Sequence, residues 1–195
     1  MKFILASASP RRRELLASIG LEFEVRPSNV PEVRQPGEAP EEYVARLSRD
    51  KAGALAAQQP ERWVIAADTT VLLGEELLEK PADAADAARM LSTIAGTTHM
   101  VYTGVTLQNA GSGYRDTRVA ETEVRMLPLD GREIDWYVRS GEPLDKAGAY
   151  AAQGIGAVFI DSIHGSYTNV VGLPLATLFQ MLRRAGIDPL TDLPE

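Results

Sequence analysis

Phe3-Ile4-Leu5-Ala6-Ser7-Ala8-Ser9-Pro10-Arg11-Arg12-Arg13 sets the reading of everything that follows. Four apolar residues in a row predict a short strand buried on both faces. The strand stops at Ser7-Ala8-Ser9 and a helix begins. Ser9 suits the N-cap, Pro10 suits the first helical position, and Gly20 stands just past the end. Leu15, Leu16 and Ile19 supply that helix's apolar face.

Outward from this start, Pro27, Pro31, Pro36 and Pro40 mark residues 26–40 as loop. Pro40 opens a second helix with Glu41 and Glu42 in its first turn, where the dipole favours carboxylates. Tyr43, Val44, Leu47, Ala54 and Leu55 form its buried stripe, and Lys51 falls on the same stripe. Trp63-Val64-Ile65-Ala66-Ala67 predicts a second buried strand ending at Asp68-Thr69, and residues 71–73 and 77–78 predict a hairpin. Residues 83–95 read as a third helix closed by Gly96. Residues 101–108 and 114–126 read as two long strands, the second with one wet face. Asp130 and Glu133 form a capping box for a short helix through Val138. Residues 157–163 read as a strand, and a last helix starts at Pro174 and ends before Gly186. The expected fold is α/β, shading into α+β: a mixed twisted sheet with flanking helices, as one domain over residues 1–195.

Composition narrows the function. No apolar run reaches the roughly 20 residues of a membrane helix, and nothing at the N-terminus reads as a secretory leader. The expected location is the cytoplasm, with no membrane partner. The chain has no cysteine and two histidines, His99 and His164, which excludes thiolate and multi-histidine metal cages. Its net charge of −7 over 195 residues argues against a nucleic-acid partner, which calls for a basic face. Both histidines read as structural or surface residues.

Against that acidic background the first fifteen residues carry Lys2, Arg11, Arg12 and Arg13 against Glu14 alone, a net of +3. Arginines in a first helical turn oppose the dipole. A bound anion removes the conflict, because free N–H groups and guanidinium groups both grip phosphate. The other reading is a solvated basic turn. Asp68 lies where α/β proteins place ligands and can bind a cation or deprotonate water; it also reads as a turn-initiating aspartate. Lys80 before Pro81, and Lys51 on its helix, read either as surface cations or as charges aimed at a site. The run from Gly141 to Gly156 is rich in glycine. There Gly148, Gly154 and Gly156 would permit close approach to a ligand, and Gln153 offers the donor and acceptor that reading a nucleobase edge requires. Residues 165–174 form a glycine-bounded polar segment running into the last helix.

In order, SASPRR, RDKA, AADTTV, EKP, YTGV, GEPLDKAGAYAAQGIGA and GSYTNVVGLPL resemble the Maf family of nucleotide pyrophosphatases from Phe3 to about Leu182. The KAGAY segment followed by Gln153 is similar to the branch acting on dTTP and UTP. The resemblance implies hydrolysis of a nucleoside triphosphate to the monophosphate and pyrophosphate with a divalent metal, Mg²⁺ or Mn²⁺. It also implies a two-lobed fold with a central cleft, in a homodimer. By motif match Asp68 is the catalytic base, and Ser7, Arg11, Arg12, Lys51 and Lys80 hold phosphates. Arg11, Thr69 and Gln153 match positions that select the base, and Asp68 with Glu32 would hold the metal. The loop Asn29-Val30-Pro31-Glu32 departs from the family in carrying one acid where several are common. Two other readings stand beside this one: a nucleotide-binding regulator of division or septum formation, and a pyrophosphatase for a modified purine triphosphate such as 7-methyl-GTP.

Overall fold

In the computed structural model, which describes residues 2–188, β1 (Phe3–Leu5) is wholly buried between two parallel neighbours, β2 (Phe23–Val25) and β3 (Val64–Leu73). Residue 1 and residues 189–195 of the expected domain lie outside the described residues. The remaining strands are β4 (Glu76–Leu78), β5 (Thr98–Asn109), β6 (Tyr114–Met126) and β7 (Ile160–His164). They form one seven-stranded sheet in the order β2-β1-β3-β5-β6-β7, with β4 paired to β3. The β3–β4 and β6–β7 pairs are antiparallel, so the sheet is mixed. The helices are α1 (Pro10–Ser18), α2 (Pro40–Ala56), α3 (Ala84–Ile94), α4 (Gly131–Arg139), α5 (Tyr167–Val171) and α6 (Leu175–Arg184).

The chain divides into two compact units. The first comprises Met1–Asp68, Thr103–Ala120 and Gly172–Glu195; the second comprises Thr69–Tyr102 and Glu121–Val171. Each has its own core. In the first, Phe3, Leu5, Ile65 and Ala67 pack with Leu16 of α1 and with Leu178, Met181 and Leu182 of α6. The alternate residues Ile4, Ala6, Val64 and Ala66 pack with Ala52, Leu55 and Ala56 of α2. In the second unit, Met90, Leu91 and Ile94 of α3 meet Ile134 and Tyr137 of α4, Val124 and Met126 of β6, and Phe159. No helix among the described residues is long and apolar enough to cross a membrane.

Helix signals and structure agree closely. Ser9 caps α1 by accepting from the Arg12 N–H, and Gly20 takes φ 74° past its end. The Asp130–Glu133 capping box closes on α4. Three strand readings change. The strand expected to end at Asp68-Thr69 continues to Leu73, because the β-branched Thr69, Thr70 and Val71 extend it. Asp68 therefore lies within β3, although past the last residue of β1 that pairs with it. The strand expected over 157–163 begins only at Ile160, and Ile155–Phe159 form a 3₁₀ turn. The short strand β2 lies just before the proline-rich loop and carries no alternation long enough to announce it.

Candidate active site

Period-two alternation carries Asp68 onto the face of β3 that presents Val64 and Ala66 to α2. On α2, Lys51 stands one turn from Leu47 and from Leu55, on the buried stripe. The two side chains meet there: Lys51 Nζ lies 2.5 Å from Asp68 Oδ1 and 2.6 Å from Glu32 Oε1. Lys51 is 5% exposed and Asp68 7% exposed, whereas the Glu32 side chain is 43% exposed. The Tyr43 hydroxyl donates to the Glu32 carbonyl at 3.4 Å and fixes that stretch of loop against α2.

Burial pushes the Asp68 carboxyl above its ordinary range; Lys51, then Arg12, pull it back, and the net direction is upward. The local cations act in the opposite direction, and desolvation outweighs them. A carboxylate poised in this way is a better proton acceptor near neutrality than a surface aspartate. Two carboxylates converge on the single Lys51 ammonium, so the arrangement amounts to one buried ion pair with a partly solvated third charge.

Beside this pair sits the start of α1. Ser7 is 7% exposed, and its hydroxyl accepts from Ser9 N–H at 3.2 Å and from Arg12 Nη1 at 3.3 Å. Arg12 Nε donates to the Gly172 carbonyl at 2.8 Å, which holds the guanidinium against the N-terminal end of its own helix. Arg11 is half-buried and Arg13 exposed. No acidic residue stands in the first turn. The helix thus presents N–H groups, a hydroxyl and a fixed guanidinium together, a combination suited to phosphate oxygens.

The structure brings Ser7, Arg12, Lys51, Asp68 and Glu32 together in the first unit, and Arg11 belongs to the same unit. Thr69, Lys80 and Gln153 belong to the second. Thr69 follows Asp68 on β3, so its side chain faces the opposite side of the strand. Lys80 is exposed between β4 and the buried Pro81, and Gln153 is exposed between two buried alanines and Gly154. His99 is 2% exposed with Nε2 2.8 Å from the Tyr150 hydroxyl, which makes it a structural residue. The polar segment 165–174 contains α5, where buried Asn169 donates to the Val101 carbonyl and to Thr122 Oγ1.

Gly148, Gly154 and Gly156 are packed closely against neighbouring side chains. A Cβ on Gly148 would press on Val71, one on Gly154 would fall 2.4 Å from Glu142 Oε2, and one on Gly156 2.3 Å from the Tyr137 hydroxyl oxygen. Sequence reasoning also missed Tyr137 and Glu142, which hold the loop around Gln153; only the glycine spacing pointed toward them. No group of three or more His, Cys, Asp and Glu side chains suited to a metal occurs among the described residues. The hard oxygen donors present are those of Asp68 and Glu32. Two carboxylates completed by substrate phosphates are a donor set that suits Mg²⁺ or Mn²⁺.

Fold and site define a mixed α/β protein in which a strand-to-helix start rich in N–H and guanidinium donors stands beside a buried Lys–Asp pair. The sequence profile described as Maf-like protein matches residues 2–185, and the chain belongs to the Maf family. It is 52% identical over 184 residues to the dTTP/UTP pyrophosphatase of Myxococcus xanthus (strain DK1622), covering 94% of this chain and 92% of that protein. It is 49% identical over 187 residues to the dTTP/UTP pyrophosphatase of Koribacter versatilis (strain Ellin345), covering 96% of each. Among solved structures, a HAM1 protein from Coxiella burnetii matches with TM-score 0.52 and 16% identity, covering 94% of this chain and 99% of that one. The Staphylococcus aureus Ham1 protein matches with TM-score 0.53 and 15% identity, covering 95% and 100%. The last two share the fold.

Proposed function

We propose that this protein hydrolyses dTTP and UTP to the monophosphate and pyrophosphate. The observation that carries the reading is the buried Lys51–Asp68 pair beside Ser7 and Arg12. The names of relatives about half identical over almost the whole chain support the substrate class.

In this reading Ser7, Arg11 and Arg12 receive phosphate oxygens at the start of α1, and Lys51 and Lys80 add positive charge to the polyphosphate. Asp68 takes the proton of a water whose oxygen bonds to the α-phosphorus. The bond from that phosphorus to the bridging oxygen breaks, and pyrophosphate leaves with both electrons. Cations held in a low-dielectric site stabilise the charge that develops on it. Asp68 and Glu32 would hold a divalent cation, Mg²⁺ or Mn²⁺, which supplies further stabilisation of phosphate charge when bound. Gln153 donates to one pyrimidine carbonyl and accepts from the ring N–H, an order that uracil and thymine offer and that cytosine presents reversed, so base choice requires the amide held in one orientation. Arg11 and Thr69 are the other positions assigned to base choice. Thr69 is the less direct of these, because it faces away from Asp68. The same reading makes the protein a cytoplasmic homodimer, with no nucleic-acid or membrane partner.

Products and one variant test this. The wild type with Mg²⁺ or Mn²⁺ is expected to convert dTTP and UTP to monophosphate and pyrophosphate. Asp68→Asn keeps the shape but loses the proton acceptor, so nucleotide binding persists while turnover nearly vanishes. Retention of more than about a tenth of kcat, an effect under ~1.4 kcal/mol, would sink the base assignment. Release of inorganic phosphate and a diphosphate would sink the reaction itself.

A further inference from the structure

Gln153 sits at the exposed apex of a loop whose two ends are gripped from beneath. On the entering side, the Tyr137 hydroxyl accepts the Ala151 N–H at 3.0 Å. On the leaving side, Glu142 accepts the Ile155 N–H on Oε2 and the Gly156 N–H on Oε1, both at 2.9 Å. The two grips are joined, because the Tyr137 hydroxyl donates to Glu142 Oε1 at 2.8 Å. The Tyr167 hydroxyl adds a bond to the Ala152 carbonyl at 3.2 Å. Lys146 Nζ holds the Glu142 carbonyl at 2.8 Å, which anchors the residue that does the gripping. Backbone groups at 151, 152, 155 and 156 are thus all committed, and Gln153 with Gly154 spans the gap between them.

The sequence is shaped around this grip. Gly154 takes φ 119°, a conformation that side chains rarely adopt, and any Cβ there would meet the Glu142 carboxylate. A Cβ on Gly156 would meet the Tyr137 hydroxyl. Just before the loop, Ala149 is held at φ 57° although it is not glycine, and it is fully buried. A non-glycine residue persists in that region only where its surroundings over-determine it. Tyr137 itself is 0% exposed on α4, so its hydroxyl reaches the loop and not solvent.

We propose that Tyr137 and Glu142 are positioning residues that set pyrimidine selectivity by holding Gln153 in register with the base. This rests on the reading of Gln153 as the base contact. The physical reason is tolerance. An amide tells uracil from cytosine only while its donor and acceptor ends are held in one order, within about 0.5 Å and 10–20° of the productive geometry. A glycine-rich loop left to itself would blur that placement. Hydrogen bonds to an ionised carboxylate are stronger than those between neutral groups, and two of them fix the far end of the loop.

A double-mutant cycle tests this with Tyr137→Phe and Gln153→Ala, reading kcat/KM for UTP and for CTP on each variant. Tyr137→Phe removes one hydroxyl and leaves the Ala151 N–H without its acceptor. The preference for UTP over CTP is expected to shrink roughly three- to tenfold, and to shrink no further when Tyr137→Phe is added to Gln153→Ala. Hydrogen exchange is expected to show faster exchange at the Ala151, Ile155 and Gly156 amides. If Gln153→Ala abolishes the preference and Tyr137→Phe leaves it intact, the positioning role is overturned and the base contact stands. If Tyr137→Phe lowers both substrates equally, its role is general loop support and the proposal is overturned. If Gln153→Ala leaves the preference unchanged, the base contact fails, and the proposal fails with it. Should Tyr137→Phe not fold, Glu142→Gln takes its place in the same cycle, because its amide sets N–H against backbone N–H at one of the two bonds.

Discussion

Lys51 is the residue whose environment says most. An ammonium 5% exposed and within 2.6 Å of two carboxylate oxygens offsets one of their two charges, and removing it leaves Asp68 buried beside Glu32 with only the more distant Arg12 in compensation. Lys51→Met is therefore expected to destabilise the fold by roughly 3 kcal/mol, the lower end for breaking a buried pair, since Glu32 is partly solvated. Asp68→Asn in the same chain should recover part of that loss. Denaturant titration of the wild type, both singles and the double measures it, and strictly additive losses would show that the two groups do not couple. Lys51 was legible as a lysine on an apolar stripe, which is an unusual place for a charge. Its two partners were not legible, because they come from a loop and a strand that helical periodicity cannot register. Asp68 was legible as a carboxylate next to an apolar strand, but its burial was not, and burial is what moves its titration upward.

At the level of elements, α1 and α4 show why some signals travel further than others. Ser9, Pro10 and Gly20 act on their own backbone neighbours, so they speak directly from sequence. The same holds for Asp130 and Glu133. The grip on 151–156 joins residues up to fourteen positions apart through hydrogen bonds to backbone, and no pattern of side-chain types encodes it. Its only trace was the glycine spacing, which reads equally well as room for a ligand. Gly156→Ala separates the two readings. A methyl there would lie 2.3 Å from the Tyr137 hydroxyl oxygen and 2.7 Å from the Ala151 carbonyl oxygen, one of them backbone. The expected loss is about 1–3 kcal/mol of stability, typical of overpacking, measurable by thermal or chemical unfolding without any nucleotide. An unchanged unfolding midpoint would return Gly156 to the ligand.

Across the whole molecule, the mixed sheet was legible in class and in most of its strands, because buried apolar runs and long hairpins leave plain marks. The division into two units was expected from the family resemblance alone, since three of the four places where the chain passes between them lie inside β3, β5 and β6, where the sequence shows no break. One buried group gives the whole fold a pH dependence. Burial holds the His99 imidazole down at about 4, against an ordinary 6.5. Between those values the unfolded chain takes up a proton that the folded chain refuses, so stability is complete above about pH 6.5 and falls as the pH drops toward 4. The slope from this residue approaches ~1.4 kcal/mol per pH unit, and its full extent is about 3 kcal/mol. Unfolding free energies from pH 7 to 4.5 should show the slope in the wild type, and His99→Gln should remove it. A slope that survives the substitution would assign the effect to other groups.

The unbroken course of β3 has a further consequence. Asp68 and Thr69 are consecutive on an extended strand, so they are assigned to opposite faces by parity alone. Adding or deleting a single residue between Val64 and Ala67 would move Asp68 to the other face. The carboxylate would leave Lys51, and Ala67 after an insertion, or Thr69 after a deletion, would stand in its place. The counting of residues in this strand is as much a part of the chemistry as the identity of Asp68. Lineages can vary the loops on either side in length, but within these few positions they can vary only in letter.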